Sequence, residues 1–226
     1  MTDAPVVAPA LADGELAALL DRARALGASR ERRVLGIAGA PGSGKSTLTD
    51  ALLAGLRGVP PVGRGADWVA HLPMDGYHLA DEQLARLGLL DRKGAPETFD
   101  VDGYVATLQR LRSGASRPVY VPGFERELEQ PIAAALVVPP EADLVVTEGN
   151  YLLLDDGGWE HVRGALDEIW FVDVDQELRI ARLIARHVRF GKSPEAAHEW
   201  VHRSDEANAR LVEAARARAD LVVRLG

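Results

Sequence analysis

The chain alternates short apolar runs with segments whose apolar residues recur every three or four positions. The apolar runs are Arg33 to Ala38, Trp68 to Leu72, Leu144 to Thr147, Ile169 to Val172 and Leu221 to Val223. Such runs are typical of strands that are buried on both faces of a parallel sheet. Helices are expected at about Gly14 to Leu26, Ser46 to Leu56, Leu79 to Leu87, Val101 to Arg112 and Glu177 to Ala219, the last broken at Gly191 to Pro194. This alternation predicts a three-layer α/β/α fold with a mainly parallel sheet.

The segments outside this alternation are short. We expect residues 1–12 to form a loose tail and residues 13–226 to form one domain. Lys93 to Asp100 is expected to be a loop, and Pro118 to Val121 a short extended piece.

Composition excludes several classes of protein. The chain has 226 residues and no cysteine, which rules out disulfides, thiolate zinc sites and cysteine nucleophiles. Its formal net charge of −8 argues against binding to nucleic acid or to an anionic membrane. No run approaches the roughly 18 apolar residues that a membrane span needs, so we expect a cytoplasmic protein. The sequence is compatible with a homodimer and leaves the oligomeric state open.

A glycine-rich turn joins the first predicted strand to the next helix. The turn is Gly39-Ala40-Pro41-Gly42-Ser43-Gly44-Lys45-Ser46, which fits the phosphate-binding pattern G-x-x-x-x-G-K-[ST]. In this pattern backbone N–H groups and the positive end of a helix surround a phosphate, the lysine contacts the β- and γ-phosphates, and the serine hydroxyl binds Mg²⁺. Thr47 is placed to reach the α-phosphate. The pattern [NT]-K-x-D, which a GTPase needs for guanine, does not occur at Lys93 or Lys192, the two lysines besides Lys45.

Two acidic residues follow predicted strands. Asp75 comes after the strand Trp68 to Leu72, and Glu148 comes after Leu144 to Thr147. Parallel strands would bring both to the sheet edge that holds the phosphate loop. There Glu148 could hold the water shell of Mg²⁺, and Asp75 could orient a substrate hydroxyl and accept its proton. Tyr77 and His78 are expected to line the pocket for that alcohol; the alternatives are a solvated acid and an ordinary Asp-Gly turn.

An arginine-rich helix face follows the fourth strand. Arg179, Arg182, Arg186 and Arg189 are three or four residues apart, and the segment from Arg179 to Lys192 holds five bases and no acid. We expect Arg182, Arg186, Arg189 and Lys192 to bind the triphosphate, with Arg186 and Arg189 neutralising the transferred phosphate. Arg179 is expected to be solvated or paired with acids from elsewhere. Residues of about 179–195 would then form a lid with Gly191 to Pro194 as its hinge or tip.

Taken in order, the motifs GAPGSGKST, PMDGYHL, KGAPETFD, VPGFERELEQPI and TEGNYLLL, followed by the arginine-rich helix, resemble those of the phosphoribulokinase/uridine kinase family of P-loop kinases, which includes bacterial pantothenate kinase. The resemblance extends from Arg33 to about Leu211. It implies a nucleoside-kinase-like P-loop NTPase fold and ATP- and Mg²⁺-dependent phosphorylation of a small-molecule alcohol. It assigns the role of base to Asp75 and the acid beside magnesium to Glu148.

The acceptor is not fixed by this resemblance; a nucleoside, a pantothenate-like compound and a sugar are all compatible with it. Lys93, Phe99 and Phe124 are expected to contact the acceptor. Uridine kinases have an aspartate at the place of Gly94, and a tyrosine and a histidine at the places of Phe124 and Glu129. These departures argue against uridine itself.

Two other functions compete with a kinase. One is a nucleotide-binding regulatory protein that has kept the phosphate loop and lost catalytic turnover. Asp75 distinguishes the two functions, because a kinase needs it and a protein that only binds nucleotide does not. The other is a zinc hydrolase, because His198-Glu199-Trp200-Val201-His202 matches H-E-x-x-H. A third ligand from Glu206 or Glu213 would lie too close on the same helix, and a protease has no use for the phosphate loop.

Overall fold

The computed structural model describes residues 14–29, 31–114 and 116–226. The tail expected at residues 1–12 lies outside these ranges. In chain order the helices and strands are α1 (Glu15–Gly27), β1 (Arg33–Gly39), α2 (Lys45–Gly58), β2 (Val69–Pro73), α3 (Asp81–Leu87), α4 (Val101–Arg112), β3 (Val119–Glu125), β4 (Gln130–Val138), β5 (Leu144–Gly149), α5 (Glu160–Arg163), β6 (Glu168–Val174), α6 (Gln176–Arg189), α7 (Pro194–Trp200), α8 (Glu206–Ala214) and β7 (Leu221–Leu225).

Five of the strands form one parallel sheet in the order β2-β5-β1-β6-β7. Successive residues of a strand point to opposite faces, and both faces of this sheet are buried. Leu35 and Ile37 of β1 pack with α1 and α2 on one face, whereas Val34 and Ala38 pack on the other face with residues of α4 and α8. The predicted three-layer fold with a parallel sheet is confirmed.

The strands β3 and β4 form a separate antiparallel hairpin, whose register shifts between Val121 and Gly123. The sequence analysis predicted only a short extended piece here, and it missed β4 entirely. Most residues of β4 are at least partly exposed, and Ala134 has a φ of 54°. Residues 132–138 form an apolar run, IAAALVV, which the sequence analysis did not interpret as a strand.

The helical part after β6 is divided more finely than predicted. The break between α6 and α7 is present, with Gly191 at a φ of 98°. A π-helical turn at Val201–Asp205 then separates α7 from α8, and a 3₁₀ turn follows at Arg216–Arg218. Within the described residues, no helix combines the length and the apolar character that a membrane crossing requires.

Candidate active site

The phosphate loop is the turn between β1 and α2. Gly42 has a φ of 78° and Gly44 a φ of 92°, in the left-handed region that favours glycine. A Cβ on Gly42 would lie 2.6 Å from Cγ of Leu183, so the loop packs against α6. Lys45 is the first residue of α2, and the first turn of this helix contains no acid. The loop therefore presents the positive end of a helix to an anion.

Lys45 is buried next to both predicted carboxylates. Burial lowers the pKa of its ammonium group, the charges of Glu148 and Asp75 oppose that effect, and the charges of Arg186 and Arg126 add to it. A polyanion bound here would raise the pKa of Lys45 again, because its negative charge stabilises the protonated ammonium group.

The two carboxylates lie at the same edge of the sheet because their strands are adjacent. Pro73 at the end of β2 is in register with Glu148 in β5, and Asp75 lies two residues beyond. The hydroxyl of Ser46 donates to Oε2 of Glu148 at 3.3 Å. Burial, reinforced by the charge of Asp75, raises the pKa of Glu148 to about 7. The Ser46 hydroxyl and the Glu148 carboxylate together form an all-oxygen donor set, which suits Mg²⁺.

Asp75 remains the more acidic of the two. Burial alone would raise the pKa of its carboxyl group, but the nearby His78, Lys45 and Arg126 outweigh burial and lower it below its ordinary value. The Nη2 atom of Arg126 lies 3.3 Å from Oδ2 of Asp75. Asp75 is therefore anionic near neutral pH and can accept a hydrogen bond from a hydroxyl group.

Aromatic rings form the side of the cavity away from the phosphate loop. The ring centroid of His78 lies 3.9 Å from that of Phe99 and 5.1 Å from that of Phe124. Burial is the main cause that lowers the pKa of His78 to about 4, so this imidazole is neutral near pH 7. The cavity, of about 390 Å³, also contains Lys45 and Asp75. A polar molecule held between these rings would therefore lie beside the Asp75 carboxylate.

The helix α6 supplies bases to the opposite wall. Arg186 lines the cavity, and burial is the main cause that lowers its pKa. The three guanidinium nitrogens of Arg182 are buried without a hydrogen-bond partner. Lys192 also lines the cavity, with its ammonium group 4.6 Å from the centroid of the Trp200 ring. Arg186 and Lys192 bring positive charge to the cavity, which fits a polyphosphate, whereas Arg182 does not line it.

This arrangement lies within a stretch that matches a known family. Residues 34–226 match the family model described as Phosphoribulokinase / Uridine kinase family. The chain belongs to this family. It is 38% identical over 131 residues to the ATP-dependent kinase-like protein notR′ of Aspergillus versicolor, which is 55% of this chain and 76% of that protein. It is 32% identical over 212 residues to a candidate uridine kinase of Schizosaccharomyces pombe, which is 91% of this chain and 88% of that protein.

The fold of the family is also found in solved structures. A candidate fructose transport system kinase from Silicibacter sp. TM1040 superposes with a TM-score of 0.79 at 38% identity, covering 92% of this chain and 98% of that one. The family and its relatives make this chain an ATP-dependent phosphotransferase that acts on an alcohol.

Two residues of the predicted kinase site, Tyr77 and Arg189, lie outside the cavity, and a third, Lys93, lines it while paired with an acid of the protein. Tyr77 does not line the cavity but is buried under the 3₁₀ turn Met74–Tyr77, with its ring 5.1 Å from that of Tyr104. Arg189 does not line the cavity, although Phe190 and Lys192 after it do; it is exposed and lies over the ring of Phe190 at 5.9 Å. Lys93 does line the cavity, but its Nζ atom donates to Oδ1 of Asp81 at 2.6 Å.

The remaining predicted residues lie at or beside the cavity. Pro41, Lys45, Ser46, Asp75, His78, Phe99, Phe124, Arg186 and Lys192 line it. Thr47 is exposed on the first turn of α2. Arg179 instead forms a buried ion pair with Glu206, so the expectation that it pairs with an acid from elsewhere is confirmed.

Other lining residues were missed by the sequence analysis. They include Arg126, Asn150, Asp205 and Asn208. Asn150 follows directly after β5 and could have been found from the rule that strand ends meet at one edge. Arg126 lies inside the motif VPGFERELEQPI, but only the fold of the hairpin brings it to Asp75.

The H-E-x-x-H residues lie on a solvent-exposed stretch. His198 and Glu199 are in α7 and His202 is in the π-helical turn, with 4.3 Å between the two imidazole centroids. In the part of the chain that the structure describes, no group of three His, Cys, Asp or Glu residues is placed to hold a metal ion. The structure therefore offers no support for a zinc hydrolase.

Proposed function

We propose that this kinase uses ATP with Mg²⁺ and transfers the γ-phosphate to a hydroxyl group of a small metabolite bound beside Asp75. The observation that carries the proposal is a single cavity that joins the phosphate-loop residues Lys45 and Ser46 to Asp75 and to Arg186. A site for nucleotide binding alone needs no carboxylate at the place where a γ-phosphate would meet an acceptor.

In the proposed reaction the acceptor oxygen forms a bond to the γ-phosphorus while the bond from that phosphorus to the β–γ bridging oxygen breaks, and ADP leaves. Asp75 orients the hydroxyl group and takes its proton. Lys45 and Arg186 stabilise the negative charge of the transferred group. Arg189 would join them only if its end of α6 moved towards the cavity.

The nucleotide is proposed to bind through the loop and the arginine-rich helix. The residues that would contact it are Gly39, Ala40, Pro41, Gly42, Ser43, Gly44, Lys45, Ser46, Thr47, Arg182 and Lys192. Residues of about 179–195 are proposed to act as a lid over the phosphates. The unpartnered guanidinium group of Arg182 supports this role, because a buried cation without a partner is costly and a phosphate would relieve that cost.

Magnesium is proposed to bind at Ser46 and Glu148, partly through water. The fit rests on their oxygen atoms, which are the ligands that Mg²⁺ prefers, and on their contact at 3.3 Å. When bound, the ion would neutralise part of the negative charge of the phosphates. Glu148 would then be held as the carboxylate.

The acceptor is proposed to be a polar, hydroxylated molecule. The names of the relatives, a candidate uridine kinase and a candidate fructose transport system kinase, support this class. Uridine is expected to be a poor acceptor, because Gly94, which lines the cavity, has no carboxylate to hold ribose hydroxyls. His78, Phe99 and Phe124 would hold the acceptor on the side away from the phosphates.

The experiment is a screen of ADP release with nucleosides, pantothenate, ketoses, pentoses and glycerate, followed by the Asp75→Asn variant on the best acceptor. We expect Asp75→Asn to reduce phosphoryl transfer by about 10²–10⁴-fold while ATP still binds. Asp102→Asn, on the exposed side of α4, is the matched control and should keep full activity. Phosphoryl transfer that is unchanged in Asp75→Asn would refute the role of Asp75.

A further inference from the structure

An arginine outside the nucleotide-binding elements lies against the proposed base. The Nη2 atom of Arg126 is 3.3 Å from Oδ2 of Asp75. Among the residues that the structure describes, no other acid forms an ion pair with Arg126. Its side chain is 42% exposed and lines the same cavity, so a bound molecule can reach the guanidinium group.

The backbone, and not only the ion pair, holds Arg126 in this position. Arg126 directly follows β3, and β3 packs against the turn that carries Asp75. A Cβ on Gly76 would lie 2.4 Å from the carbonyl oxygen of Pro122, so the two segments touch backbone to backbone. The guanidinium carbon also lies 5.8 Å from the centroid of the Phe124 ring. These contacts keep the backbone of Arg126 next to the turn that carries Asp75.

The other cations of the cavity already have partners or roles. Lys45, Arg186 and Lys192 are proposed to contact the phosphates, and Lys93 is paired with Asp81. The contact with Asp75 uses only Nη2 of Arg126, and a guanidinium group carries five N–H donors, so further donors can reach an acidic oxygen of a bound molecule. The position of Arg126 on the hairpin, next to Phe124, is on the acceptor side.

We propose that Arg126 binds an anionic group of the acceptor, a carboxylate or a phosphate, close to the hydroxyl group that is phosphorylated. The inference rests on the proposed kinase function and specifies its substrate class. A hydroxyl bound to Asp75 and an acidic oxygen bound to Arg126 would lie on the order of 3–5 Å apart, given ordinary hydrogen-bond lengths. This separation corresponds to an acidic group one to three carbons from the hydroxyl. The acceptor is then a short hydroxy acid, a sugar acid or a sugar phosphate rather than a neutral sugar or nucleoside.

The test compares matched acceptors at saturating ATP and Mg²⁺. The carboxylate arm uses glycerate against glycerol and gluconate against glucitol, and the phosphate arm uses glycerol phosphate against glycerol. Pantothenate against pantothenol serves as a pair whose acid is remote from the hydroxyl groups. The rate of ADP release is measured, and the phosphorylated product is identified by ³¹P NMR.

We expect kcat/KM for at least one nearby-acid acceptor to exceed that of its neutral counterpart by roughly 10- to 100-fold, as for a charge-assisted hydrogen bond. In Arg126→Gln this ratio should fall to near one, and Arg126→Lys should keep part of it. The control is Arg64→Gln, because Arg64 is similarly exposed, at 46%, and pairs with an aspartate, Asp143, away from the cavity. It should keep the ratio of the unmodified protein.

Three results would overturn the inference without touching the kinase function: neutral acceptors that match the acids, an acid preference that survives Arg126→Gln, or a preference for pantothenate alone. A rise in the KM for ATP with an unchanged ratio would assign Arg126 to the nucleotide and also overturn it. If no compound is phosphorylated, acid binding is measured by thermal shift with Mg²⁺ and a non-hydrolysable ATP analogue. If acid binding is then seen in the unmodified protein but not in Arg126→Gln, the anion site is supported although the kinase function fails. If no acid binds, or if binding survives Arg126→Gln, the anion site is overturned.

Discussion

A buried ion pair that ties two helices to the phosphate loop provides a test of how the site is held. The Arg179 and Glu206 side chains are 6% and 10% exposed and are in direct contact. Arg179 also donates from Nη1 to the carbonyl oxygen of Pro41 at 3.3 Å, and Gln176 donates to Glu206 at 3.1 Å. The pair therefore links α6 and α8 to the turn that is proposed to bind phosphate.

Removing one partner should be much more costly than removing both. Glu206→Gln keeps the shape of the side chain but leaves the Arg179 guanidinium buried without a counter-charge. Such a loss costs about 3–5 kcal/mol, which is a large part of the roughly 5–15 kcal/mol that stabilises a typical domain. The double variant Arg179→Met/Glu206→Leu buries no charge. We expect the double variant to lose less stability, by about 2 kcal/mol or more, than the summed losses of Arg179→Met and Glu206→Leu.

The assay is urea unfolding of Glu206→Gln, of the single variants Arg179→Met and Glu206→Leu and of the double variant near neutral pH, with ATP affinity as a second measurement. Glu82→Gln is the control, because Glu82 forms an ion pair with Arg86 in which both side chains are mostly exposed, at 79% and 68%. An exposed pair contributes only about 0–1 kcal/mol. The ATP affinity of Glu206→Gln should fall because the loop loses its anchor, whereas that of Glu82→Gln should not.

Two outcomes would refute this reasoning. One is a Glu206→Gln variant that loses no more stability than Glu82→Gln. The other is a double variant whose loss equals the sum of the single losses, which would mean that the two side chains do not depend on each other for their burial.

Three further predictions concern the neighbourhood of the site. Gly76→Ala should destabilise the protein by about 1–3 kcal/mol, because the new methyl group would meet the β3 backbone. The control Gly65→Ala should be neutral or slightly stabilising, because Gly65 has open space around it and no positive φ. Equal urea midpoints for the two variants would contradict this prediction. Thr147→Val should lower the free energy of unfolding in urea by about 1–3 kcal/mol. The buried Thr147 hydroxyl is hydrogen-bonded to the Tyr104 hydroxyl at 2.6 Å and donates to a carbonyl oxygen of β2. A loss within experimental error would contradict the contribution of these two hydrogen bonds. Burial lowers the pKa of His71 to about 4. As the pH falls from about 6.5 towards 4, the unfolded chain binds a proton at His71 before the folded protein does, so the stability that the protein has above about pH 6.5 is partly lost. In His71→Asn the slope of stability against pH between pH 5 and 7 should be flatter, and an unchanged slope would contradict the buried neutral imidazole.

The sequence predicted those parts of the fold and site that depend on neighbouring residues. The phosphate loop is one contiguous pattern, and its glycines adopt the left-handed backbone that the pattern requires. Asp75 and Glu148 could be placed together from the sequence because parallel strands end at one edge of a sheet, and the register of Pro73 with Glu148 agrees with that placement. The order of the strands in the sheet was not predicted, since it depends on contacts between distant segments.

The errors of the sequence analysis have the same cause. Tyr77 was expected in the pocket from its position two residues after Asp75, but the tight 3₁₀ turn directs the ring into the core. Lys93 lines the cavity, so its contact with the acceptor stays a prediction, but its ion pair with Asp81 was not foreseen from the sequence. Arg126 reaches Asp75 only because the hairpin of β3 and β4 brings it there; the apolar run of β4 could have indicated a strand, but not its contact with the turn that carries Asp75.

The contacts of α6 limit where a lid could move. Its first turns are fixed to the phosphate loop, because Gly42 packs against Leu183 and Arg179 is bonded to Pro41. These turns cannot swing without opening the loop that is proposed to bind the phosphates. The left-handed Gly191, in contrast, has open space around it. We therefore infer that closure over ATP would move the end of α6 and the turn after it, and that the expected lid of 179–195 is fixed at its beginning and mobile only towards its end. Arg189, which lies outside the cavity, is on the part that could move in.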